Sequence, residues 1–153
     1  MATPNGRLHD HPHSTAKIGG HPIHPMLVQF PIVCFIGVLA TDIVFISNQN
    51  HGWATASRYL LVVGLVMAAL AALAGLTDFL GDKRVQGADA IKHAVANVTA
   101  VVLELINLIL RLHSDAPIPR IGIILSAATV LILLYSGWMG GKLVFEHGIG
   151  VND

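Results

Sequence analysis

Apolar positions gather into four long runs, Met26 to Ser47, Tyr59 to Leu80, Ala88 to Leu112 and Ile121 to Phe145, parted by short polar stretches. Each run approaches the ~20 residues that a ~30 Å hydrocarbon core requires of a helix. The pattern predicts an all-α integral membrane protein, a four-transmembrane-helix bundle, with helices over 25–48, 57–80, 88–112 and 120–146. The third run is the most interrupted, by Lys92, His93, Asn97, Glu104 and Asn107. Residues 1–20 carry Pro4, Gly6, Pro12, Gly19, Gly20 and three histidines and read as a flexible tail, disordered or extended; 21–153 read as a single domain. The tail lacks the features of a secretory signal, because its charge is sparse and no small-residue cleavage pattern follows the first apolar run.

Composition agrees with a membrane location. Charged residues are 12% of the chain and mean hydropathy is +0.67, values that a soluble domain of this size would struggle to hide. The expected partner is the lipid bilayer. A formal net charge of zero offers no argument for nucleic acid. Cys34 is the lone cysteine, which excludes an intramolecular disulfide and suits a packed thiol. Cations are uneven across the expected bundle: Arg7, Lys17, Lys83, Arg84, Lys92 and Lys142 fall on the side of the termini, and Arg58, Arg111 and Arg120 on the other. By the positive-inside rule both termini are expected in the cytoplasm.

Polar residues inside the runs carry more information than the loops. At ~100° per residue, Asn97, Glu104, Asn107 and Arg111 fall within about 40° of the line through His93, a polar stripe along the third helix. Thr129, Ser136, Gly140 and His147 make a gentler stripe on the fourth. On the second helix Asp78 continues a face of Gly64, Met67, Ala71 and Gly75, small enough for a neighbouring backbone or a flat group to approach. An ionisable group in hydrocarbon costs ~2.5 to 3.5 kcal/mol on insertion scales and normally faces the bundle interior. Asp42, Asp78 and Glu104 therefore need partners. Asp78 belongs with the side of the termini; Asp42 and Glu104 lie nearer the other side, where each is expected to be neutral, paired with Arg58 or Arg111, part of a proton route, or simply a hydrogen-bonded brace between helices.

Four histidines, His21, His24, His93 and His147, stand where apolar runs begin or end, and an even number of crossings puts them all on one side. His21 and His24 each precede a proline and favour extended backbone, in which positions three apart share a polyproline face. Pro25 suits the first turn of the first helix and Pro31 bends its early part. His9, His11 and His13 can bind metal only adventitiously, and His51 and His113 belong to the opposite connections. Trp53 and Tyr59 suit an interfacial belt.

The motifs G-H-P-I-H-P-M-L-V-Q-F-P-I, G-L-T-D, H-A-V-A-N and G-W-M-G-G-K-L-V-F-E-H-G-I-G-V resemble those of the bacterial membrane family catalogued as domain of unknown function 2231. The resemblance spans nearly the whole chain after Gly19. It implies a multi-pass four-helix domain of the bacterial inner (plasma) membrane, sometimes fused to or encoded with redox modules such as Rieske proteins or quinoprotein dehydrogenases. Its recurrent polar positions fall here on His21, His24, Asp78, His93, Asn97, Glu146 and His147.

Three functions fit these residues. The first is a b-type haem electron carrier anchoring a redox partner and exchanging electrons with quinone. Its axial ligands would come from His93 with His24, His21 or His147; Gly64, Gly75, Gly137, Gly140 and Gly141 would provide a flat slot; Asn97, Glu146, Glu104 and Asp42 would be supporting or proton-linked groups. The second is a non-haem site for a divalent metal ion, Zn, Fe or Cu, on His21, His24, Asp78, His93 and His147. The third is a structural anchor, single or oligomeric, without a cofactor. No H-E-x-x-H, serine-centred or phosphate-loop motif points to another chemistry.

Overall fold

The computed structural model describes residues 15–81, 83–146, 148 and 149, Arg84 by its backbone alone. Two short strands, β1 (Lys17–Ile18) and β2 (His21–Pro22), pair antiparallel through a turn in which Gly19 and Gly20 take positive φ. The end of the expected loose tail is thus an ordered ladder. The helices follow as α1 (Ile23–Leu27), α2 (Gln29–Asn48), α3 (His51–Gly81), α4 (Ala88–Leu110) and α5 (Ile123–Phe145). A 3₁₀ turn (Lys83–Val85) precedes α4 and a π turn (Ile118–Gly122) leads into α5. All four expected crossings are present as helices long and apolar enough to span a membrane.

Proline placement explains the division of the first crossing. Pro31 has no N–H for the carbonyl of Leu27, and its ring crowds that turn, so the helix breaks at Val28 and resumes as α2. The second crossing begins at His51, six residues before the expected 57, because Asn50 Oδ1 accepts the N–H of Gly52 at 2.9 Å and caps the start. Gln49 closes α2 in the left-handed region at φ 54°.

The principal packing partners are α2 with α3 and α4 with α5, two antiparallel hairpins joined through α2 against α5 and α3 against α4. Buried positions recur three and four apart: Pro31, Phe35, Val38, Asp42 and Phe45 on α2; Ser57, Leu61, Gly64, Ala68 and Ala71 on α3; Ala100, Glu104 and Asn107 on α4. This is the seam spacing of closely paired helices. Small and polar side chains share the interior with Phe35, Phe45, Leu61 and Ile118, while Phe30, Val33, Leu73, Leu131, Leu134 and Trp138 face outward. The arrangement inverts that of a soluble bundle and is the one hydrocarbon selects.

Candidate functional site

Two polar centres sit at opposite ends of the α4 stripe. Near the end that holds β1 and β2, the ring of His24 enters from α1 and that of His93 from α4, with centroids 6.4 Å apart and planes at 84°. The His24 Nδ1–H donates to the Ala71 carbonyl on α3 at 2.8 Å. The His93 Nδ1–H donates to the Ser136 carbonyl on α5 at 3.0 Å, with Ser136 Oγ at 3.1 Å. A carbonyl can only accept, so each Nδ1 carries a proton, and in the neutral ring Nε2 is left with the lone pair. Asn97, one turn along α4, donates its amide to His93 Nε2 at 3.0 Å and to the His93 carbonyl at 2.9 Å.

Glycines make room for both rings. A Cβ on Gly75 would lie 2.9 Å from His24 Nδ1, and one on Gly140 would lie 3.3 Å from His93 Cε1. Gly64 receives Phe35 and Cys34, whose atoms would lie 2.6 to 3.0 Å from its Cβ. These three glycines therefore seat side chains and do not provide the expected open slot. Gly137 and Gly141 have nothing within 4 Å among the described residues.

The remaining residues expected at this end are dispersed. His21 is exposed on β2, its backbone paired with Ile18, whereas His24 turns into the bundle because the chain is helical from Ile23. The expected common polyproline face does not form. Asp78 Oδ1 accepts the backbone N–H groups of Thr15 at 2.7 Å and Ala16 at 2.8 Å, holding the ladder against α3. Glu146 pairs with Lys142 at 3.8 Å, and Lys142 also reaches Asp89 at 3.9 Å. His147, like His9, His11 and His13, lies outside the described residues. Among the described residues no three His, Cys, Asp or Glu side chains converge as a metal-binding group.

The second centre is fully buried. Arg111, just past the end of α4, reaches back over its stripe to Asp42 on α2, Nη1 to Oδ1 and Nη2 to Oδ2 at 2.7 Å each. Ser57 on α3 donates to Asp42 Oδ1 at 2.7 Å and accepts from Nη1 at 2.7 Å. Arg111 Nε donates to Asn107 Oδ1 at 2.8 Å. Asn107 in turn donates to Glu104 Oε2 and to Ser126 Oγ, both at 2.9 Å. The π turn admits the guanidinium, because Gly122 N bonds to Pro117 O at 2.8 Å and a Cβ on Gly122 would lie 2.9 Å from Arg111 Nη2. Arg58, the alternative partner expected for Asp42, instead faces Asp115 at 3.6 Å, beside His51 at 2.7 Å.

Ser57, Ser126 and Gly122 were not singled out from the sequence. Ser57 did carry a signal, since it lies one heptad before Gly64 on the face that continues through Ala71 to Asp78. Seven residues separate Asn97 from Glu104, about 10 Å of helix, and Ala100 is buried between them. The histidine pair and the ion network are therefore distinct sites on one stripe.

Comparison with curated proteins and with solved structures gives no match. Residues 20–153, nearly all of the chain, match the model of one family. The four apolar helices, the inverted interior and this match agree, and the chain belongs to the family described as predicted membrane protein DUF2231.

Proposed function

We propose that the protein is a membrane electron-transfer subunit that holds one b-type haem through His24 and His93. The observation that carries this reading is the tethering of both imidazoles: each Nδ1–H is fixed to a backbone carbonyl on a neighbouring helix. Metal-bound histidines are held in this way, which sets the tautomer, the ring direction and the basicity of Nε2. Haem would supply a one-electron couple there. The donor count favours haem over a bare ion, because a macrocycle brings four nitrogens and asks for one or two more, whereas structural zinc asks the protein for four. Asn97 guards His93 Nε2 with its amide, and that nitrogen would become available to iron once the amide turns away.

The same end carries an apolar groove lined by His21, Pro22, Pro25, Met26, Val144 and Ile149. A quinone ring suits such a surface, with the exposed imidazole of His21 as its polar contact. A redox module, a dehydrogenase or a Rieske protein, would dock there. The cation bias supports an orientation with this end in the cytoplasm, and Arg111, an internal ion and not a loop charge, drops out of the opposite count.

The test is the visible spectrum of protein purified in mild detergent from haem-replete cells, oxidised and then reduced with dithionite, with elemental analysis of the same sample. A sharp reduced α-band, lost in both His24→Ala and His93→Ala, is the expected result. Stoichiometric non-haem metal without a Soret band would replace the proposal with a metal site, and a stable bundle holding neither would leave a structural anchor.

A further inference from the structure

We infer that Glu104 holds a proton and that the Glu104–Thr129 contact is a proton-binding site in the bundle interior. The inference is independent of any haem. Three charged groups share the buried network, two carboxylates and one guanidinium, and all three are 0% exposed. Arg111 has five N–H donors. Nε goes to Asn107, Nη1 to Asp42 and Ser57, and Nη2 to Asp42 and, at 3.4 Å, Ser126. None is left for Glu104. The guanidinium and Asp42 thus neutralise one another, and an ionised Glu104 would place an uncompensated negative charge in a site that water does not reach.

The hydrogen bonds around Glu104 can accommodate that proton. Oε2 accepts from the neutral amide of Asn107. Among the described residues neither Oε1 nor Thr129 Oγ1 makes a hydrogen bond of good geometry, although the threonine hydroxyl of α5 lies against the Glu104 carboxyl. One proton on Oε1 turns that oxygen into a donor and gives both orphaned atoms a partner. Were the threonine hydroxyl to donate instead, both atoms would again be satisfied, but the charge would remain. Among the described residues the charged groups facing the site are Arg111 from the end of α4 and Asp42 from α2; α3 contributes the neutral Ser57, and α5 the neutral Ser126 and Thr129. Asn107 joins the two halves, holding Arg111 through its carbonyl and Glu104 through its amide. Loss of the proton would therefore draw on the same residue that positions Arg111.

Infrared difference spectroscopy of the full chain in liposomes at neutral pH tests the assignment. Wild type minus E104Q should show the carbonyl stretch of an un-ionised carboxylic acid, moved down in heavy water and unchanged when sodium replaces potassium. In T129V that band should shift upward, because the O–H loses its acceptor. Loss of carboxylate bands alone in E104Q would overturn the proposal. An acid band that sodium abolishes would assign the site to a metal cation and overturn it as well. If E104Q does not assemble, T129V decides: a shifted acid band supports the site, and an unshifted spectrum sinks it.

Discussion

Arg111 and Asp42 meet as a parallel two-bond pair across 69 positions of sequence, at 2.7 Å for each bond and with neither side chain exposed. The planar guanidinium matches both carboxylate oxygens, and serines fill the remaining positions, so the pair brings together α2, α3, the end of α4 and α5. Breaking one side of such a pair costs about 3–5 kcal/mol, because the other ion is left without a counter-charge. Arg111→Met should therefore lower stability by that order in denaturant unfolding of the detergent-solubilised protein. The double variant D42L/R111M should lose less than R111M alone, and equal or greater loss in the double would contradict the coupling.

Glycine substitutions should divide by what their Cβ meets. Gly75→Ala drives a methyl group to 2.9 Å from His24 Nδ1, and Gly140→Ala brings one to 3.3 Å from His93 Cε1. Gly137→Ala meets nothing within 4 Å among the described residues. Nitrogen-15 spectra of the histidine rings should show the His24 Nδ1–H signal displaced strongly in G75A, the His93 signal more weakly in G140A, and neither in G137A. A large effect in G137A alone would mean that the rings are seated elsewhere.

The ladder at the start of the domain should depend on one carboxylate. Asp78 Oδ1 holds the N–H groups of Thr15 and Ala16 in charge-assisted bonds, the first exposed and the second part-buried, so solvent screens part of what each contributes. Asp78→Ala should speed amide exchange and limited proteolysis across residues 15–22 while leaving exchange around Arg111 unchanged. Unaltered protection at 15–22 would remove Asp78 from this role.

Asn97 separates a ligand site from a closed hydrogen-bond pair. Under the haem reading Asn97→Ala frees His93 Nε2 and retains the cofactor, whereas His93→Ala loses it. Haem content and ligand-field bands in the two variants read this directly. Equal loss in N97A and H93A would make the amide itself part of the binding, and a haem-bound H93A would exclude His93 as a ligand.

The histidine pair was half legible beforehand. His93 stood out because it opens a polar stripe, and His24 because it precedes a proline at a helix start, but nothing local distinguished His24 from His21. The distinction comes from helix nucleation at Ile23, which turns one imidazole toward Ala71 and leaves the other on the surface. The glycines were recognised as close-approach positions, yet their guests, an imidazole at Gly75 and Gly140 and a phenyl ring at Gly64, depend on helix register.

Four membrane-spanning helices, and the face of α4 that turns inward, were readable from the order of residues alone. Apolar run length, the cost of a charge in hydrocarbon and the 3.6-residue period act within one segment and can be read from it. It took the packed bundle to pair Arg111 with Asp42 and Arg58 with Asp115. The same packing decided that Asp78 binds backbone, and that Glu104 is left facing Thr129. Those pairings are set by how far each helix slides and turns against its neighbours. Side-chain packing sums over distant residues and fixes that register; no single segment encodes it.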